Sequence, residues 1–149
     1  MADKITPQRR SYNMSRIRSK DTKPEMVVRQ WLHSKGLRFR VHRSDLPGKP
    51  DIVLPRYRAV VSVHGCFWHG HEGHPCFKVP SSRTEWWQKK IGHNKARDWQ
   101  HQRELEQLGW RVIVLWECEL RTVVRREQRL KMLVEEILHD CPMDSILLE

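Results

Sequence analysis

The stretch "DIVLPRYRAVVSVHGC", residues 51–66, decides the fold of this chain. It holds two apolar runs, "DIVLP" and "AVVSVH", on either side of a short polar segment, and β-branched residues are frequent in both. Because β-branched residues favour strands, two such runs joined by a short loop predict an antiparallel hairpin.

The segments before the hairpin predict a turn, a strand and a helix. "LPGKP", residues 46–50, has the Pro and Gly content of a turn, and "LRFRVHR", residues 37–43, alternates as a strand does. "DTKPEMVVRQWLHSKG", residues 21–36, predicts a helix in which Thr22 and Glu25 have capping-box spacing and Gly36 follows the last turn.

The segments after the hairpin predict a loop, two helices and one more strand. Residues 65–83 are rich in His, Gly and Pro and predict an irregular loop, whereas residues 84–107 predict a long helix that ends before Gly109. "WRVIVLWE", residues 110–117, is nearly all apolar, as expected of a strand covered on both faces, and residues 121–139 predict a last helix. The order α-β-β-β-α-β-α predicts an α/β protein with a mixed central sheet flanked by helices.

The excess positive charge lies near the N-terminus. Residues 1–43 hold 12 of the 28 Lys and Arg residues and 3 acidic residues, whereas residues 44–149 hold 16 basic and 15 acidic residues. Such a block favours binding to a polyanion, and nucleic acid is the first candidate, with a solvated basic face as the alternative. We expect residues 1–20 to form a basic arm, with Met14 and Ile17 on one side of a short helix, and residues 21–149 to form a single domain.

The chain has neither a run of about 18 apolar residues nor an apolar N-terminal segment, so we expect a cytoplasmic protein. In a reducing compartment, cysteines more often bind metal or stay free than form disulfides. Cys141 has no metal-like surroundings in the sequence and is interpreted as a spare thiol.

The other three cysteines predict a structural zinc site. Cys66 and Cys118 each follow a predicted strand, and if these strands are adjacent and parallel, both thiols lie at one end of the sheet. The loop between them can supply Cys76 and one histidine, which completes a tetrahedral Cys₃His set. Both His71 and His74 are open as the fourth ligand; we favour His71, because the histidine in His74-Pro75-Cys76 needs an awkward turn.

Asp51, His64 and His69 form the candidate catalytic group. Asp51 begins an apolar strand, where an acid is a poor strand former, and it faces His64 if the hairpin loop centres between Tyr57 and Arg58. A carboxylate can hold Mg²⁺, which stabilises charge on a phosphate, and a neutral histidine can take a proton from the attacking water. Each residue also has a structural alternative, as a turn cap or a strand-end histidine.

Together these residues resemble the very short patch repair (Vsr) endonucleases. The matching stretches are "YNMSRIRSKDT", "LPGKPDIV", "VHGCFWHGH", "KVPSSRTEWWQKKIGHN" and "ELEQLGWRVIVLWECEL", which cover most of residues 11–120. The resemblance implies a restriction-endonuclease-like fold and an enzyme, acting as a monomer in the bacterial cytosol, that nicks one strand of double-stranded DNA. The nick lies 5′ to the thymine of a T:G mismatch, which arises when 5-methylcytosine deaminates, within a preferred sequence context.

The resemblance also implies roles for the candidate catalytic residues. Asp51 is the central Mg²⁺ ligand and the main-chain carbonyl of Val63 is another. His64 and His69 act in proton transfer and phosphate contact, with His69 linked to Glu25, which the spacing alone assigns to a capping box.

Two departures from related proteins concern the hairpin and the zinc loop. Related restriction enzymes carry acid-x-Lys where this chain has Ser-Val-His at residues 62–64, which favours the Vsr variant. Vsr proteins often have a shorter gap than that from His71 to Cys76, which keeps His74 open as a zinc ligand.

Aromatic and polar side chains are implied to contact the mismatch. Phe67 and Trp68 form a wedge between bases, Trp87 is a third wedge residue, and its neighbour Trp86 is expected to pack within the protein. Lys90 and Asn94 lie one helical turn apart and are expected to face the DNA groove. Met14 and Ile17 of the basic arm are expected to reach its opposite side.

Two other functions fit parts of the sequence. A non-catalytic, zinc-stabilised DNA-binding protein needs only the basic arm and the cysteines, but it does not need Asp51. A restriction-type nuclease would cut both strands, but the missing acid-x-Lys argues against it.

Overall fold

The structure is a computed structural model, and it describes Gln8 and residues 21–139. Met14, Ile17 and Cys141 therefore lie outside the described residues. Within residues 21–139, no helix is both long and apolar enough to cross a membrane.

The described chain contains three long helices and four strands in the predicted order. Two short 3₁₀ turns, Pro55–Tyr57 and Glu117–Leu120, follow the second and fourth strands. In chain order the elements are α1 (Lys23–Ser34), β1 (Arg40–Val41), β2 (Ile52–Leu54), β3 (Ala59–His64), α2 (Thr84–Gln107), β4 (Arg111–Trp116) and α3 (Val123–His139). The prediction of a mixed sheet with flanking helices is confirmed, although only two residues of the strand predicted over residues 37–43 pair with β2.

The four strands form one sheet in the order β1-β2-β3-β4, in which only β3 and β4 are parallel. The register of the β2–β3 hairpin pairs Ile52 with Val61 and Leu54 with Ala59. Continuing that register places Asp51 opposite Ser62, so the expected pairing of Asp51 with His64 is wrong. The 3₁₀ turn and Arg58, whose φ is +53°, shift the centre of the loop one residue toward the N-terminus. Because strand side chains alternate, Ser62 and His64 share a face, and Asp51 still lies on the same face as His64.

Apolar side chains cover both faces of the sheet, which explains the nearly unbroken apolar runs of β2 and β3. On one face Val53, Val60 and Trp110 pack with Leu105 of α2, which covers this face. The other face is covered by α1 and α3, and its buried members include Val28, Leu32, Ile52, Leu54, Val61, Ile113, Leu115, Leu130, Leu133 and Ile137. Each fully buried side chain of this kind contributes roughly 1.5–3 kcal/mol relative to full exposure, so the strands are held from both sides.

The parallel pairing of β3 with β4 positions the functional residues. It runs from Ala59 opposite Arg111 to His64 opposite Trp116, so both strands end at one edge of the sheet. Cys66 and Cys118 each lie two residues beyond a paired strand end. The expectation that both thiols lie at this edge is confirmed.

Candidate active site and Cys/His cluster

Three cysteines and one histidine converge where β3 and β4 end. The ligand atoms of Cys66, His71, Cys76 and Cys118 all lie within 4.8 Å of one another, and the three cysteines are free thiols. The parallel strands carry two of them to the sheet edge, and the loop that follows β3 carries the other two. This Cys₃His cluster can bind a metal.

His71, and not His74, belongs to the cluster. Its Nδ1 atom lies 3.1 Å from Cys76 Sγ and 3.5 Å from Cys118 Sγ. The buried ring is sandwiched, since it stacks on Trp116 with 4.1 Å between centroids and on His74 with 3.8 Å. His74 is exposed and supports the His71 ring by stacking.

The chemistry of the donor set fits a metal ion. Ligand atoms in a tetrahedral zinc site lie about 3.5–3.8 Å apart. The four ligand atoms of this cluster lie within 4.8 Å of one another. Burial raises the pKa of the Cys66 thiol to about 12 and also raises the pKa of Cys118, because the charged thiolate is disfavoured there. Burial lowers the pKa of His71, and the charge of the neighbouring His74 lowers it further. His71 is therefore the neutral imidazole that ligates metals. A bound cation would reverse the preference at the thiols, because it compensates the thiolate charge.

Asp51 lines a cavity of about 550 Å³ on the α2 side of the sheet, together with Val63, His64 and His69. Its Oδ2 atom accepts a hydrogen bond of 2.8 Å from the Val63 N–H. Burial raises the pKa of Asp51 to about 6; the Val63 hydrogen bond opposes this rise, and the charge of Glu25 adds to it. The site thus contains a carboxylate that is partly withdrawn from water and held by main chain.

His64 and His69 stack in the same cavity. Their ring centroids are 3.9 Å apart and the planes differ by 8°. Burial lowers the pKa of His64 to about 4, and the charge of His69 lowers it further against the opposing effect of Asp98. His64 is therefore a neutral imidazole at pH 7.

The partner of His69 is Asp98 on α2, a residue that sequence reasoning missed. His69 Nδ1 lies 2.6 Å from Asp98 Oδ2. The loop approaches α2 closely at Gly70, where φ is +65° and an added Cβ would lie 2.7 Å from Ile91. One signal pointed to Asp98: it continues the i, i+4 series of Lys90 and Asn94 along α2.

Glu25 pairs with Arg29 and His42, and His69 pairs with Asp98, so the expected link between Glu25 and His69 is wrong. The Glu25 side chain is buried and contacts Arg29 and His42, with 3.0 Å to His42 Nε2. It also interacts with the Asp51 side chain. The Thr22 hydroxyl accepts a hydrogen bond from the Glu25 N–H at 3.4 Å, so the Glu25 backbone takes part in the helix cap.

The three expected wedge aromatics form one cluster. The ring centroids of Phe67 and Trp68 are 5.1 Å apart, and that of Trp87 is 5.2 Å from Phe67 and 5.8 Å from Trp68. All three side chains are half-buried. The expectation that Trp86 packs inside is wrong, because it is 45% exposed and lies against Trp87 and Arg83.

Lys90 is exposed, whereas Asn94 does not face outward as expected. Asn94 is 9% exposed; its Nδ2 donates to the Trp68 carbonyl at 2.9 Å and its Oδ1 accepts from Arg97 at 3.3 Å. Asn94 therefore ties the Trp68 backbone to α2. Lys90 remains available to a ligand on the surface.

A mixed α/β sheet carries a partly buried carboxylate and two stacked histidines at one end, beside a separate Cys₃His cluster that could hold a metal ion. This arrangement suits a hydrolase. The comparisons with known proteins give the family. The chain belongs to the family described as DNA mismatch endonuclease Vsr, whose model matches residues 2–76.

Individual relatives extend this likeness over most of the chain. A type II nicking enzyme, V.XorIIP of Xanthomonas oryzae pv. oryzae, is 50% identical over 135 residues, which is 91% of this chain and 98% of that protein. The DNA mismatch endonuclease Vsr of Escherichia coli K12 is 48% identical over 121 residues, or 81% of this chain and 77% of that protein. A type II nicking enzyme of Neisseria meningitidis, V.NmeAIP, is 46% identical over 92% of this chain and 97% of its own.

Proposed function

We propose that this protein nicks one DNA strand 5′ to the thymine of a T:G mismatch, within a preferred sequence context, by Mg²⁺-dependent hydrolysis. It would thereby start very short patch repair of deaminated 5-methylcytosine. The observation that carries the proposal is the cavity shared by Asp51, His64 and His69 in a chain whose relatives are named mismatch endonuclease and nicking enzymes. The protein acts as a monomer in the bacterial cytosol, on a restriction-endonuclease-like fold, with residues 1–20 as the basic arm and residues 21–149 as the endonuclease domain.

Two different cations suit the two donor sets. Asp51 and the main-chain carbonyl of Val63 are oxygen donors of the kind that Mg²⁺ prefers and would hold it here; when bound, Mg²⁺ would supply charge stabilisation at the phosphate and a position for the attacking water. Cys66, His71, Cys76 and Cys118 are a set typical of structural zinc. Zinc there would hold the loop against the ends of β3 and β4. The loop has few apolar side chains, so burial alone would not hold it there.

His69 is the proposed proton acceptor. The Asp98 carboxylate holds the proton on Nδ1, which leaves the Nε2 lone pair of a neutral His69 free to accept a proton from water. His64 stacks on His69 and remains neutral at pH 7, so it serves as a hydrogen-bonding group at the phosphate. Glu25, next to Asp51, completes the acidic part of the site.

The aromatic cluster suits insertion into DNA at a mismatch. Unstacking a base step costs a few kcal/mol, and least where pairing is already weak. Phe67 and Trp68, in the loop that follows β3 and carries His69, present rings that adjoin Trp87 of α2, and Asn94 supports them through the Trp68 carbonyl. Exposed Lys90 and the Met14 and Ile17 side chains of the basic arm are proposed as further DNA contacts.

The proposal is tested with a 5′-labelled duplex that carries one T:G mismatch in varied flanking sequences. We expect Mg²⁺-dependent cleavage of the T-containing strand alone, immediately 5′ to the thymine, and little cleavage of the matched T:A and C:G duplexes. Asp51→Asn, which preserves the size of the side chain, is expected to abolish cleavage while the protein still binds the duplex. The proposal fails if matched and mismatched duplexes are cut equally.

The same assay separates the two alternatives. Binding of the duplex without cleavage under any flanking sequence would indicate a DNA-binding protein. Linearised plasmid in place of nicked plasmid would indicate a restriction-type nuclease.

A further inference from the structure

The Glu25 carboxylate has two nitrogen-bearing partners that the proposed mechanism does not use. Arg29, one helical turn further along α1, contacts Glu25 Oε2, and His42 Nε2 lies 3.0 Å from the same oxygen. Arg29 and His42 also contact each other at 2.8 Å. Glu25 is 2% exposed, so these contacts are made almost without water.

The position of His42 connects this group to Asp51. The His42 N–H donates to the Asp51 carbonyl at 3.3 Å, directly after the Val41–Ile52 pair of the β1–β2 ladder. His42 has φ +49°, a conformation that costs a non-glycine residue energy and persists only where its surroundings hold it. The strained backbone brings the ring to Glu25 at the edge of the proposed Mg²⁺ site.

Arg29 is itself held in place. Its Nη2 atom lies 2.7 Å from Asp21 Oδ1, and its side chain is 14% exposed. Asp21, Glu25 and His42 have the spacing of a metal site, but the guanidinium already supplies a positive charge to both carboxylates. Arg29 and His42 are therefore better explained as a clamp, a pair of residues that holds the Glu25 carboxylate in place, than as part of another ion site.

We propose that Arg29 and His42 are positioning residues that fix the Glu25 carboxylate beside Asp51, so that the two carboxylates act together on the catalytic divalent cation. The inference rests on the proposed function. Neither Arg29 nor His42 contacts substrate; each acts through Glu25. Residues that orient metal ligands commonly change metal affinity or activity by about 10- to 100-fold when removed.

Arg29 has two opposite effects on cation binding, so the direction in which its removal changes the cation affinity shows which effect is larger. As a nearby positive charge it repels a divalent cation, and its removal alone would tighten cation binding. As a positioning residue it keeps an otherwise mobile carboxylate in place, and its removal would weaken cation binding. Since Arg29 contacts the Glu25 carboxylate directly, we expect the positioning effect to be larger.

The test uses the full chain with its native zinc content and two measurements. The first is binding of Mn²⁺ alone, followed by electron paramagnetic resonance of the free ion. The second is the Mg²⁺ concentration that gives half of the maximal single-turnover nicking rate. Arg29→Ala and His42→Ala are each expected to weaken Mn²⁺ binding and to raise that Mg²⁺ concentration by about 10-fold or more.

A double-mutant cycle shows whether the effect passes through Glu25. In a Glu25→Gln background, Arg29→Ala is expected to have little further effect, since the carboxylate that it positions is gone. Arg29→Gln keeps a hydrogen-bond donor on a shorter side chain, so it should recover part of the cation affinity that Arg29→Ala loses. It replaces Arg29→Ala in the test if that variant does not fold. Arg129→Ala is the matched control, because Arg129 is also 14% exposed and bridges two acids, Glu119 and Glu136, away from the cavity.

The outcomes are distinct. Unchanged or tighter cation binding in Arg29→Ala, or a loss of equal size in the Glu25→Gln background, would overturn the positioning role. Weaker Mn²⁺ binding in a protein that never nicks a T:G duplex would support the clamp and reject the proposed function.

Discussion

His69 Nδ1 lies 2.6 Å from Asp98 Oδ2, although the two residues are 29 positions apart in the chain. The loop that follows β3 supplies the imidazole, and the middle of α2 supplies the carboxylate. The pair is the closest analogue in this site to the acid–imidazole pairs that orient general bases in hydrolases.

Asp98→Asn is expected to lower the single-turnover nicking rate by about 10²- to 10⁴-fold, because the amide no longer favours the tautomer in which Nε2 accepts a proton. Affinity for the mismatched duplex should stay within about twofold of wild type. Glu104→Gln on the same helix, whose carboxylate accepts a hydrogen bond from the exposed Gln100 side chain at 2.9 Å, serves as the control. A near-normal rate in Asp98→Asn would remove this pair from the mechanism.

Cys118→Ser is expected to lose the proposed zinc and several kcal/mol of stability, since a metal in this cluster would tie the loop to the ends of β3 and β4. Elemental analysis and urea unfolding measure the two effects. Cys141→Ser, at the remaining cysteine of the sequence, should keep its zinc. Full zinc content in Cys118→Ser would reject the proposed site.

The two loop histidines should behave differently. His71→Ala is expected to lose zinc, because His71 Nδ1 lies against Cys76 and Cys118. His74→Ala removes only a stacked ring, so it should retain zinc and lose roughly 1 kcal/mol of stability. Zinc loss in His74→Ala alone would reverse the assignment.

Asp51→Asn should stabilise the Mg²⁺-free protein at pH 7–8, although it abolishes nicking. The pKa of Asp51 is raised from 3.8 to about 6 in the folded state, chiefly by burial, so ionised Asp51 disfavours folding above about pH 6. We expect a gain of about 1–3 kcal/mol in the free energy of unfolding, which shrinks as the pH falls from 6 to 4 and Asp51 becomes protonated.

Urea unfolding at several pH values without divalent cations measures this gain. Asp45→Asn is the control, since a hydrogen bond from Arg43 holds the pKa of the exposed Asp45 carboxyl below its usual value. It should show no gain at pH 7. A gain for Asp51→Asn that persists unchanged at pH 4 would show that burial of the ionised carboxylate is not its cause.

Trp87→Ala is expected to weaken binding to the T:G duplex by about 5- to 100-fold, because each aromatic–base stack contributes roughly 1–3 kcal/mol. Fluorescence anisotropy without Mg²⁺ measures the affinity. Trp99→Ala is the control, since Trp99 is a 59% exposed tryptophan about three turns further along α2. Equal losses in the two variants would point to general surface effects and not to a wedge.

Local sequence patterns predicted the order of helices and strands and the convergence of the cysteines. Strand and helix formation in β2, β3, β4 and α1 depends on residues within a few positions of one another. The apolar runs and the spacing around Thr22 and Gly36 could therefore be identified from the sequence alone. The meeting of Cys66 and Cys118 was predicted on the condition that β3 and β4 are adjacent and parallel, and the structure meets that condition.

The tertiary structure decided the partners of the site residues. Whether His69 met Glu25 or Asp98, whether His71 or His74 reached the thiols, and which residue faced Asp51 depended on the turn at residues 55–58 and the packing of the loop on α2. Asn94 turned inward for the same reason, since the loop offered the Trp68 carbonyl. A shift of one or two residues in a turn or loop changes such contacts while the periodic pattern stays the same, so the pattern carries no information about them.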